Sequence, residues 1–264
     1  MRQTVCSKSH CVVLAALILF AVGTPGGAQT YTVDPLWDSV TLGGGVLLAG
    51  ASELFVQIHH APSLNRPDES LINPLDRLAV LPYSRGVDIA SSVLQYTELA
   101  APLLLLLLLP QEQWLTAGVM YGETLAVADL TKNVLKTVFA RYRPFVYVSA
   151  GQTGLPEAWD WYDSFPSGHA TMVFASATCA AVTLARLLPG SPLVVPFVLA
   201  DYGLATLTAS FRVLSGMHFL TDIFAGAAIG AAIGYLVPLA HTAGGPASAG
   251  SSRSIQIVSV VVPL

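Results

Sequence analysis

The chain has 264 residues, 53% of them hydrophobic and only 11% charged, with a formal net charge of -4. Its mean hydropathy is +0.63. Soluble domains carry about a quarter charged residues, and the apolar excess here lies in long runs, so the expectation is an integral membrane protein. No basic stripe occurs outside three short clusters, which excludes nucleic acid as a partner.

Residues 1–28 read as a secretory signal. Arg2 and Lys8 form a positive start, Cys11 to Val22 an apolar stretch, and Gly26 and Ala28 a small-residue cleavage point before Gln29. An uncleaved anchor helix fits the same residues, and in either case Gln29 starts outside the cytoplasm. This style of signal suggests a bacterial source and an inner-membrane location. Cys6, Cys11 and Cys179 make no CxxC or His/Cys metal spacing. Residues 29–86 form an N-terminal segment. Its clean apolar part, Val40 to Ala51, is shorter than the ~20 residues of a span. Leu36 to Ile58, with Gly43, Gly44, Gly45 and Glu53, is therefore expected to be an interfacial or partly inserted helix, followed by a polar loop from Asn65 to Arg85.

Residues 87–240 hold the predicted spans Ile89 to Leu109, Trp114 to Ala140, His169 to Leu188, Leu193 to Phe211 and Phe219 to Pro238. A loop rich in Gly, Pro, Trp and Asp runs from Ser149 to Phe165. No β-barrel alternation is present, so the fold class is an all-α, multi-pass transmembrane helical bundle. Residues 241–264 are a Gly/Ala/Ser linker and a β-prone end, either a strand that needs a partner or a disordered tail.

Polar chemistry concentrates at the span ends. The first cluster, Lys136 to Pro144, places Lys136 and Arg143 about two helical turns apart, so both can face one pocket if the helix continues to Pro144. Alone, it also reads as a positively charged cytoplasmic flank. The second is Pro166-Ser167-Gly168-His169. Ser167 is a natural N-cap, Gly168 lets a ligand approach the backbone, and free N–H groups at a helix start attract an anion within reach of His169. A plain capped helix with an interfacial histidine would look the same. The third runs from Arg212 to Asp222. Arg212 offers a planar donor fork to phosphate oxygens. His218 and Asp222 share a helix face, so the carboxylate can take the proton of one ring nitrogen and leave the other free to attack. An interfacial salt pair is the alternative, although ionisable groups beside spans are usually functional.

Lys-x6-Arg-Pro, Pro-Ser-Gly-His and Arg-x5-His-x3-Asp occur in this order at helix ends. The set resembles the type 2 phosphatidic acid phosphatase superfamily, which shares its core with the vanadium haloperoxidases, over roughly Asp88 to Pro238. One departure is visible: Phe211 stands where the family's third motif has serine, and Ser210 lies one position early. The resemblance implies that His218 attacks phosphorus to give a phosphohistidine while Asp222 orients it. His169 protonates the leaving oxygen and then activates water. Lys136, Arg143, Arg212, Ser167 and the Gly168 amide hold the phosphate oxygens. Three cations can supply the charge stabilisation that phosphoryl transfer needs, so neither a metal nor a cofactor is expected.

The expected substrate is a lipid phosphate or diphosphate end group within the membrane lipids, with undecaprenyl diphosphate, phosphatidic acid, phosphatidylglycerophosphate and lipid A as candidates. A phosphotransferase, a non-enzymatic transporter or scaffold, and a haloperoxidase are the rivals. Family resemblance implies a periplasmic site. A full crossing by Leu36–Ile58 after a translocated Gln29 would put the site in the cytoplasm, and an interfacial helix there would remove the conflict.

Overall fold

The computed structural model describes residues 31–59, 67–149 and 152–242. The signal-like segment 1–28 and the β-prone tail lie outside the described residues. Among the described residues six long helices make the bundle: α1 (Pro35–His59), α2 (Arg85–Leu105), α3 (Trp114–Phe139), α5 (Gly168–Leu187), α6 (Val194–Leu214) and α7 (Leu220–Ala240). A short α4 (Pro144–Val148) sits between α3 and α5. No β-strand longer than an isolated bridge, Tyr31 with Thr242, occurs among the described residues.

Pro35–Ile58, α5, α6 and α7 are long and apolar enough to cross a membrane. The protein is a membrane-embedded, all-helical bundle. α2 and α3 match them in length and carry more of the polar residues.

α5 is the central helix, packed against α2, α3, α6 and α7. Its run of Ala170, Thr171, Ala175, Ala177, Ala180 and Ala181 is buried, and small side chains allow neighbouring backbones to come close where no water drives them together. The tightest contact is with α7, whose Gly226, Gly230 and Gly234 fall on one stripe. A Cβ at those positions would stand 2.6 Å from the Ser167 carbonyl oxygen, 2.2 Å from that of Thr171 and 2.3 Å from that of Ala175. Only glycine lets the two backbones touch there.

The polar ends of the helices converge at one end of the bundle: the starts of α2, α5 and α7, and the ends of α1, α3 and α6. A layer of connecting loops is tied together by backbone hydrogen bonds, Ser84 N–H to the Ser215 carbonyl at 3.1 Å, Phe145 N–H to Gly216 at 3.0 Å and Arg143 N–H to Trp161 at 2.8 Å. Gly216, at φ 73°, makes the turn between α6 and α7.

Leu36–Ile58 lies within a 25-residue helix; Gly43 to Gly45 weaken helix propensity without breaking the run. One sequence expectation changes: the helix before Arg143 ends early. Ala140 turns left-handed at φ 40°, ψ 51°, and Pro144 opens α4 at its first turn, where a missing N–H does no harm. The Ser149–Phe165 loop contains a 3-10 turn, Ala158–Tyr162, against which α1 packs.

Candidate active site

Lys136 lies on the last full turn of α3, and its ammonium is 4.0 Å from the buried Asp163 carboxylate. Arg143, beyond the break, is fixed by three acceptors. Its Nε donates to the Asp160 carbonyl at 2.7 Å, its Nη1 to the Met217 carbonyl at 2.9 Å, and its Nη2 to the Asp160 carboxylate. Asp160 thus aims Arg143.

At the start of α5, Ser167 accepts from the Ala170 N–H at 3.4 Å as the N-cap. Gly168 faces the lysine stems: a Cβ there would stand 3.0 Å from Lys132 Cδ and 3.8 Å from Lys136 Cε. His169 Nε2 is 3.2 Å from the Ser92 hydroxyl of α2.

Arg212, only 3% exposed, is drawn toward α2. Its Nη1 donates to Asp88 and, at 3.0 Å, to the Ser91 hydroxyl. Its Nε has no hydrogen-bond partner among the described residues, so a buried donor remains open. Ser210 instead donates to the Thr206 carbonyl of its own helix, and the hydroxyl beside Arg212 comes from Ser91.

His218 is 1% exposed. Its Nδ1 stands 2.7 Å from the Ser164 carbonyl. A carbonyl can only accept, so Nδ1 carries the proton and Nε2 keeps its lone pair. That lone pair faces Arg143 Nη1 at 2.9 Å. Burial, reinforced by Arg143, Arg212 and Lys136, pushes the imidazole well below the usual histidine range. Asp222 does not take the histidine proton directly: its Oδ2 is 3.7 Å from Nδ1. The carboxylate is already occupied by Phe219 N–H at 2.8 Å, the Ser164 hydroxyl at 2.5 Å and Arg141 Nη1 at 2.5 Å. It orients His218 through Ser164 and the helix start.

Arg141 bridges Asp222 to Asp76, 2.7 Å away. Burial pushes the Asp76 carboxyl up, but hydrogen bonds from Arg141, Thr221 and Asn73 override it and hold the group below the ordinary carboxylate range.

One cavity of about 490 Å³ gathers these groups. Lys136, Arg143, Gly168, His169, Arg212 and His218 line it, together with Lys132, Asp88, Ser92 and Asp160. Ser167 and Asp222 are buried behind its wall. The cavity's cations are set among acids: Arg143 with Asp160, Arg212 with Asp88, and Lys132 with Asp129 at 2.9 Å. Asp88, Ser91 and Ser92 escaped sequence reasoning, although their three- and four-residue spacing at the start of α2 marks one helix face.

Residues 117–245 match the family model described as the PAP2 superfamily. Over this stretch the chain is similar to the PAP2 superfamily. The PAP2 match begins within α3, later than the Asp88 start expected from the motifs, so α1 and α2 lie before it. A similar curated protein is the decaprenylphosphoryl-5-phosphoribose phosphatase of Mycobacterium tuberculosis, found in two strains. It is 34% identical over 127 residues, 48% of this chain and 60% of the relative. The chain thus matches about three fifths of the length of these relatives. A solved structure, the first transmembrane PAP2 type phosphatidylglycerolphosphate phosphatase from Bacillus subtilis, aligns with a TM-score of 0.45 and 18% identity, covering 76% of this chain and 93% of that one.

Proposed function

We propose that this protein is a metal-independent lipid phosphatase of the PAP2 type that works through a phosphohistidine on His218. The observation that carries the reading is the His218 tautomer: Nδ1–H is committed to the Ser164 carbonyl, so Nε2 presents a lone pair to a cavity lined by Lys136, Arg143 and Arg212. His218 Nε2 attacks phosphorus, and the bond to the ester oxygen breaks. His169 gives that oxygen its proton. His169 then takes a proton from the water that cleaves the P–N bond, which returns both histidines to their starting state.

Lys136, Arg143 and the open Nε of Arg212 receive the phosphate oxygens, with the Gly168 amide at the start of α5. Ser167 shapes that turn as its cap. Asp222 positions His218. The substrate is a lipid phosphate or diphosphate end group, since the cavity sits at the end of a membrane bundle where headgroups lie. The named activity of the mycobacterial relatives, on a polyprenyl-linked phosphate, fits the same class. The mouth faces the periplasm of a bacterial inner membrane.

Phosphate release from a panel of lipid phosphates, by purified protein in detergent with EDTA, tests this reading. Release should survive EDTA and fall by at least about 1,000-fold in His218→Ala. Release that persists in the variant, or none from any lipid by folded protein, would overturn it. His218→Ala that retains the biological role would favour a transporter or scaffold instead.

A further inference from the structure

A second cluster of ligating groups lies at the other end of the bundle. Asp38 of α1, Glu123 of α3 and His241, just beyond α7, bring one ligand atom each to within 4.8 Å of one another. His241 and Asp222 bracket α7, so the cluster is about 28 Å along the helix from the phosphate cavity. Its own cavity, about 670 Å³, is lined by all three residues. We propose that these residues bind a divalent transition-metal ion of the zinc class, which clasps α1, α3 and the end of α7 together.

Four observations carry the assignment. First, the imidazole is oriented as a ligand. Its Nδ1 is 3.0 Å from the Val237 carbonyl, which can only accept, so Nδ1 donates there and Nε2 is turned toward the carboxylates. Metal-bound histidines are commonly fixed this way by an outer carbonyl.

Second, the spacing suits a shared cation. Nε2 is 3.1 Å from Glu123 Oε2 and 3.4 Å from Asp38 Oδ1. Two ligands about 2.05 Å from a tetrahedral zinc lie about 3.3 Å apart. A lone pair and two carboxylate oxygens at this range repel one another unless a positive charge stands between them.

Third, the buried groups lack other partners. Glu123 is 3% exposed and its Oε1 makes no hydrogen bond; His241 is 8% exposed and its Nε2 makes none either. Fourth, the donor set of one imidazole and two carboxylates matches zinc better than the all-oxygen preference of magnesium or calcium. The adjoining cavity leaves room for water as a fourth ligand. The competing arrangement is a protonated imidazole paired with the two acids, which the test resolves.

The inference does not rest on the phosphatase reading, and its test is read without activity. Full-length protein, purified without chelator, is assayed for metal by mass spectrometry, then stripped and titrated with zinc chloride by calorimetry. Thermal unfolding is followed alongside. Stoichiometric zinc, and a midpoint raised by several degrees when zinc returns, is the expected result. Glu123→Gln and His241→Ala should each weaken zinc binding by at least about tenfold. A His169→Ala/His218→Ala variant, altered only in the phosphate cavity, should bind zinc as before.

Absence of zinc from the wild type, with no heat on titration, would overturn the proposal and leave an ion-paired imidazolium. Zinc binding that is lost with His169 and His218 but kept in the Glu123 and His241 variants would also overturn it, by placing the metal at the other cavity. If either ligand variant fails to fold, the wild-type metal content and titration still decide.

Discussion

His218 owes its character to one hydrogen bond and to its buried, cationic surroundings. The Ser164 carbonyl fixes its tautomer, while burial beside Arg143, Arg212 and Lys136 resists a second proton. The folded-state pKa is therefore below the unfolded value near about 6.5. As pH falls through that value the unfolded chain takes up a proton that the native site refuses, so this contribution to stability is complete above about pH 6.5 and erodes below it. Thermal midpoints measured from about pH 7.5 to 5.5 should drop more steeply for wild type than for His218→Gln. Equal slopes would show that His218 does not carry the shift. The histidine proposed as nucleophile stands out in the chain, because Arg-x5-His-x3-Asp is a compact pattern. Its orienting carbonyl could not, since Ser164 lies 54 positions away and a backbone oxygen leaves no trace in residue identity. Arg141 and Asp76 were hidden for a similar reason: their bridge to Asp222 depends on a fold-back of distant loops.

At the scale of the helix, the glycine stripe of α7 sets how closely the start of α5 approaches His218. A Cβ at Gly230 would overlap the Thr171 carbonyl at 2.2 Å, and it is backbone, not a flexible side chain, that would have to give. Gly230→Ala should cost about 1–3 kcal/mol of stability, visible as a lowered unfolding midpoint in detergent. It should also cut turnover, because His169 and Gly168 ride on the displaced helix. An unchanged midpoint would mean that the two helices can separate freely. The spans themselves were legible from their apolar runs. Their ends were less so: the left-handed Ala140 carries no glycine or asparagine to announce a stop, and the Pro144 that seemed to end one helix begins another. Glu53, just beyond the apolar core of α1, sits at the polar end and meets Lys132 at 3.2 Å.

For the molecule as a whole, whether α1 crosses governs which side of the membrane the cavity faces. α1 ends at the cavity, so a crossing α1 with a periplasmic mouth would begin at Pro35 on the cytoplasmic side, whereas an interfacial α1 is compatible with an exported Gln29. Glu157 is exposed in the loop layer beside the cavity. Glu157→Cys should react with a membrane-impermeant maleimide in intact spheroplasts, above the background of the unsubstituted chain; labelling only after lysis would place the mouth in the cytoplasm. The bundle order was readable from hydrophobic runs, whereas the Asp38–Glu123–His241 cluster was not, because its members are scattered over three distant segments without a spacing signature. The glycine contact between α5 and α7 also has a bearing on how such a protein diversifies. His169 opens one of a welded pair of helices and His218 stands just before the other, while α1 is mostly exposed and reaches the cavity's rim through Glu53 and the 158–162 turn. Mutational drift can therefore reshape the rim, and with it the choice of headgroup under the proposed function, while the helix pair that holds the two histidines stays unchanged.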